Sequence, residues 1–181
     1  MIFSARFSMD ARQSSIYAAS VNPRTCTVDL DPGQSSETIT VHRDALCLAA
    51  LRDPKAPSSY QAGTGLPLWD SYWIYAPTPD SPTGRLLRYR VDVPANPAQR
   101  PFEDFQNFPG AFFTPPTGNR NIQVLAHGLY KLEASIDQAN QQVVVRVGFR
   151  GEQGRTQNGR TLAEVAETLF RIKPENSWPR M

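Results

Sequence analysis

The chain has 181 residues, enough for one domain with a core of its own. Its 19 basic and 17 acidic residues leave a formal charge of +2 spread along the whole length, which by itself is no nucleic-acid footprint. The longest apolar runs fall far short of the ~20 residues a membrane helix needs, and nothing reads as a cleavable signal peptide.

The positive charge rests on arginine, since Lys55, Lys131 and Lys173 are the only lysines. Residues 1 to about 20 read as an amphipathic helix, with Ile2, Met9 and Ile16 seven positions apart and Arg6, Asp10, Gln13 and Ser14 off that line. Asn22-Pro23 ends it, because a residue before proline is pushed out of the helical region. No capping residue precedes Phe3, so the helix reads as the continuation of an upstream one.

The apolar period then changes to two. Cys26, Val28 and Leu30 alternate with Thr25, Thr27 and Asp29, and Ile39 and Val41 follow across the turn "DPGQSS", which predicts a hairpin. "DALCLAAL" fits a strand or a short helix equally, and "RDPKAPSSYQAGTGLP" is loop by its Pro, Gly and Ser content. "LWDSYWIYAP" and "GRLLRYRVDV", joined by "TPDSPT", predict a second hairpin rich in aromatic and branched residues.

From Pro94 to Asn121 runs a segment with six prolines and five phenylalanines and no sustained period. Phe102, Phe105, Phe108, Phe112 and Phe113 argue against disorder, since each has much to gain by burial. "GLYKLEASID" and "QQVVVRVGFR" predict a third hairpin, while "TLAEVAETLFRI" fits a helical stripe and a closing strand alike.

Cys26 and Cys47 lie 21 positions apart. Joined, they would close a loop worth roughly 3 kcal/mol and imply an oxidising compartment; two separate buried thiols are the other reading.

Catalytic signals are thin. His42 and His127 are the only histidines and neither stands in metal-ligand spacing, so no catalytic residue, metal or cofactor is expected and the chain reads as non-enzymatic. Asp29 and Asp31 share a strand face and are most simply solvated. Trp69 and Trp73, with Tyr72 and Tyr75, form the largest aromatic concentration and are candidate partner-binding residues, as are Phe105, Phe108, Phe112 and Phe113.

A leading helix, successive hairpins, the strands "SYWIYAP" and "GRLLRYRVD", "VLAHGLYKLEASID" before a valine strand and the ending "TLFRIKPEN" together resemble a type IV pilin-like protein, in the minor pilin and type II secretion minor pseudopilin branch. The resemblance implies an α+β fold, with an amphipathic N-terminal helix packed on antiparallel sheet. Residues 1–22 would be the C-terminal half of the pilin-like helix and residues 23–181 a β-rich head. It further implies a filament subunit that acts in assembly or at a tip, in adhesion, secretion or DNA uptake. Its partners would be other pilin or pseudopilin subunits and the inner membrane, reached through a missing transmembrane half-helix, and its place the periplasm or cell surface. Ile2, Phe3, Met9 and Ile16 would serve assembly. The alternative is an exported β-rich module that binds carbohydrate or peptide through surface aromatics.

Overall fold

A computed structural model describes residues 2–31, 37–92, 121–157 and 161–176, without the side chains of residues 2 and 161. The described residues open with α1 (Ile2–Gln13) and continue as nine strands: β1 (Ala19–Asn22), β2 (Thr25–Asp29), β3 (Thr38–His42), β4 (Ala45–Ala50), β5 (Ser71–Pro77), β6 (Gly84–Asp92), β7 (Gln123–Asp137), β8 (Gln142–Arg155) and β9 (Thr161–Ile172). Seven of them form one antiparallel sheet in the order β1-β4-β5-β6-β7-β8-β9, and β2 with β3 forms a separate hairpin.

The large sheet curls into a half-barrel. Register shifts interrupt the β6–β7, β7–β8 and β8–β9 ladders, and such irregularities bend strands and increase their twist. β4 is buried along all six residues, which is why "ALCLAA" carries no alternation. β5 and β6 owe their strand form to branched and aromatic residues, which pack well on a pleated surface.

The inner face of the curl gathers Leu46, Leu48, Tyr75, Leu86, Leu129, Leu132, Val143, Val145 and Val147 into one cluster with Phe3, Phe7 and Ala11 of α1. Phe3 and Phe7 stack at 5.5 Å between ring centres, and each meets Tyr75 and Phe170 edge-on. The short helix thus bridges β5 and β9 as a plug within the curl. A second cluster, on the other face, holds Trp69, Tyr72, Ile74 and Tyr89.

Two adjacent charged residues tie the hairpin to the large sheet. Arg43 is buried and donates from Nη1 to the carbonyls of Thr78 and Asp80 at 2.7 and 2.6 Å, and from Nε to that of Tyr130 at 3.2 Å. The Asp44 carboxylate accepts the backbone N–H of Arg24 at 3.0 Å and of Ala134 at 2.9 Å.

These findings overturn the pilin-like expectation. The described part of the protein is nearly all β, with 58% of the described residues in strands, a curled seven-stranded sheet and one short helix, rather than an α+β fold built on a long helix packed against sheets. The helix stops at Gln13, seven residues before the expected end, and the chain passes through a 3-10 turn at Ile16–Ala18 into β1. Ser15 accepts the Tyr17 N–H at 3.3 Å to start that turn, and β1 pairs with β4, so strand pairing captures residues that the apolar spacing gave to the helix.

The buried stripe of the helix is Phe3, Phe7 and Ala11, spaced by four, and Met9 of the expected seven-residue line lies off it. Phe3 is 2% exposed, in the core; Met9 is 41% exposed, and Ile16 is buried beyond the helix end. The Ile2 side chain lies outside the described part. Residues 161–172, which fit helix and strand alike, are the long strand β9.

Candidate ligand-binding cleft

One end of the plug helix opens onto a cleft of about 120 Å³, walled by the last turn of α1, the end of β4, the 53–69 loop and Trp73 of β5. Each wall is fixed by its own chemistry. A helix leaves its last carbonyls without intrahelical donors. Here the chain after β9 supplies them: Glu175 N–H donates to Arg12 O at 2.8 Å, and Asn176 Nδ2 to Gln13 O at 2.7 Å.

The loop wall is stapled to itself. Ser59 Oγ donates to Asp53 O at 2.6 Å, Tyr60 OH to Pro54 O at 2.9 Å, and Tyr60 bridges to Pro67. Asp70 accepts the Arg52 N–H at 2.6 Å, closing the loop at its base. A loop held by so many local bonds has little entropy left to lose when a ligand arrives.

Behind the cleft lies a buried polar network. Asp10 Oδ2 accepts from Tyr75 OH at 2.6 Å and from Arg88 Nε at 2.7 Å, and Oδ1 accepts from Arg88 Nη2 at 3.0 Å. Arg88 also reaches Gln123 Oε1 at 3.0 Å, and its guanidinium lies 3.2 Å from the centre of the Trp73 ring, a cation–π stack. Burial, the Asp10 charge and the hydrogen bond to Asp10 all push the Tyr75 phenol pKa up, so the group stays a donor.

Chemically, this is a positioning device. The Asp10 carboxylate is fully engaged by three donors, which removes it as a free general base. What it does is anchor Arg88, and Arg88 holds the Trp73 ring. The cleft then offers Trp73 and Tyr60 as aromatic surface above the buried Trp69, with Gln13 and Asn176 as hydrogen-bonding groups at its rim.

The structure brings together Trp69 and Trp73 among the residues marked in the sequence. They belong to different clusters: Trp69 is buried in the outer one, while Trp73 packs half-buried on the inner one, and both line the cleft. Phe105, Phe108, Phe112 and Phe113 lie outside the described residues. Cys26 and Cys47 are free thiols on separate sheets, so the disulfide is not formed; burial pushes the Cys47 thiol up, which makes it inert.

His42 is exposed, with Nδ1 3.8 Å from Asp44. His127 is exposed within β7, beside Gly128 at φ 72°, rather than in a turn between strands. Asp29 Oδ1 accepts the Asp31 N–H at 3.1 Å, a local turn contact, and among the described residues no three His, Cys, Asp or Glu side chains gather in a metal-binding group.

Sequence reading missed Asp10, Tyr75 and Arg88 as a unit. One signal was present: Asp10 falls three positions after Phe7, on the buried side of the helix, where an unpaired charge would be costly and a partner is therefore required. In comparisons with known proteins, no family model matches the chain, and neither a curated protein nor a solved structure matches it.

Proposed function

We propose that the protein is a non-enzymatic binding module whose cleft receives a single carbohydrate ring. The supporting observation is the pairing of aromatic walls with an amide rim. A pyranose has an apolar C–H face and a hydroxyl edge; the half-buried rings of Trp73 and Tyr60 suit the first, and the side chains of Gln13 and Asn176 suit the second. The volume, about 120 Å³, is below the roughly 300–1,000 Å³ of drug-sized pockets, which favours one ring over an extended ligand.

A glycan array probed with the wild-type protein, Trp73→Ala and Gln13→Ala tests this reading. Retention of a defined set of glycans is expected, weakened at least about tenfold by either substitution. Gln13 is exposed, so Gln13→Ala reports on binding even where Trp73→Ala disturbs the Arg88 stack. Capture of proline-rich peptides in place of glycans, or glycan binding indifferent to both substitutions, overturns it.

A further inference from the structure

The two edges of the large sheet differ sharply. β1 is four residues long, whereas β9 runs twelve and is exposed along most of its length. Among the described residues nothing pairs with the outer side of β9. Long open edges are templates for pairing with another strand, and proteins usually blunt them with charge, proline or a bulge. β9 carries Glu167 and Arg171 on its outer face, and between and beside them it presents Val165 at 40% and Leu169 at 45% exposure.

We infer that β9 is the contact through which two copies of this chain pair, antiparallel and about a twofold axis at Leu169. The strand's own sequence selects both the partner and the register. In a symmetric antiparallel pair the axis must pass through a residue, because a one-position slip would put facing side chains on opposite sides of the sheet. Centring on Glu167 sets like charges opposite each other, which is destabilising. Centring on Ala166 or Thr168 leaves Glu167 facing an apolar residue, Val165 or Leu169.

Centring on Phe170 sets Glu167 opposite Lys173, which lies past the end of the strand at Ile172; centring on Leu169 matches opposite charges within the strand itself. Glu167 of one copy then faces Arg171 of the other, twice by symmetry, and Leu169 faces itself. Val165 faces Lys173, whose aliphatic stem can cover it. On the inner face Thr168 meets Phe170 and Ala166 meets Ile172, continuing the core cluster to which Phe170 and Ile172 already belong. In the single copy Glu167 pairs across β8 with Lys131, whose Nζ lies 2.7 Å from its Oε1, and Arg171 of the second copy joins that pair from the edge side.

Sedimentation velocity over a concentration series, on the full chain, tests the pairing by charge exchange. The wild type is expected to dimerise reversibly. Arg171→Glu, which puts two carboxylates opposite each other, and Leu169→Lys, which puts two ammonium groups opposite each other, should each weaken the dimer at least about tenfold. The double variant Glu167→Arg/Arg171→Glu restores the opposite pairing and should recover most of the loss, with thermal melts confirming that each variant is folded. A protein that stays monomeric at high concentration, a dimer indifferent to Arg171→Glu and Leu169→Lys, or a double variant no better than Arg171→Glu overturns the inference.

Discussion

Asp10 of α1 and Arg88 of β6 meet with Oδ2 and Nε 2.7 Å apart, their side chains 1% and 3% exposed. This contact joins the plug helix to the middle of the sheet and sets the ring of Trp73. A buried pair is worth little over a well-packed apolar substitute, but removing one partner strands the other charge. Asp10→Asn and Arg88→Met should therefore each cost about 3–5 kcal/mol in denaturant unfolding. The double variant should be more stable than the sum of the single losses predicts, as a double-mutant cycle will measure.

Stability should fall in alkali. Burial, first among the causes, raises the pKa of the Tyr72, Tyr75 and Tyr89 phenols and of the Cys47 thiol in the folded state. In the unfolded chain these groups ionise at about 8.5 for cysteine and about 10 for tyrosine. A raised folded pKa means that the stabilisation is complete below the unfolded value and is lost as pH climbs above it. Urea midpoints should decline from about pH 8.5 and more steeply above about pH 10, and Cys47→Ala should flatten the first part of the decline.

Gly84 has no room for a methyl group. A Cβ there would stand 2.6 Å from Thr78 O and 2.8 Å from Arg43 Nη1, and Arg43 is itself held by backbone carbonyls and cannot swing away. Gly84→Ala should cost about 2–3 kcal/mol, read as a lowered melting temperature. Gly151→Ala, where nothing lies within 4 Å, is the near-neutral control.

The phase of the helix can be tested directly. Phe7→Ala opens a cavity beneath Tyr75 and Phe170 and should cost about 3–5 kcal/mol, whereas the exposed Met9 should tolerate Ala within about 0.5 kcal/mol. Denaturant titration of the two variants distinguishes a stripe spaced by four from one spaced by seven.

Local pattern carried far in this chain. The alternation in residues 25–41, the aromatic and branched residues of 68–93 and the pattern of 128–150 marked the three hairpins now seen as β2–β3, β5–β6 and β7–β8, because strand-forming residues and turn chemistry are written within a few residues of each other. Other features depend on partners far along the chain. β9 took its strand form from pairing with β8, and residues 19–22 took theirs from β4, since nothing local separates an apolar helix stripe from a strand that pairs elsewhere.

The cleft shows the same division. Trp69 and Trp73 stood out by composition, but Asp10 and Arg88 lie 78 positions apart, and only the folded sheet shows that one requires the other. The pilin resemblance drew on the order of elements, and order does not distinguish a helix laid along a sheet from a short helix enclosed by one.

The most direct test of the carbohydrate-binding account is the NMR titration of the Trp69 and Trp73 indole N–H signals with a panel of mono- and oligosaccharides. The account predicts that both signals shift together and saturably with at least one sugar, and that the response is lost in Gln13→Ala. A panel in which no sugar moves either indole, or a bound sugar that perturbs only residues distant from the cleft, would contradict it.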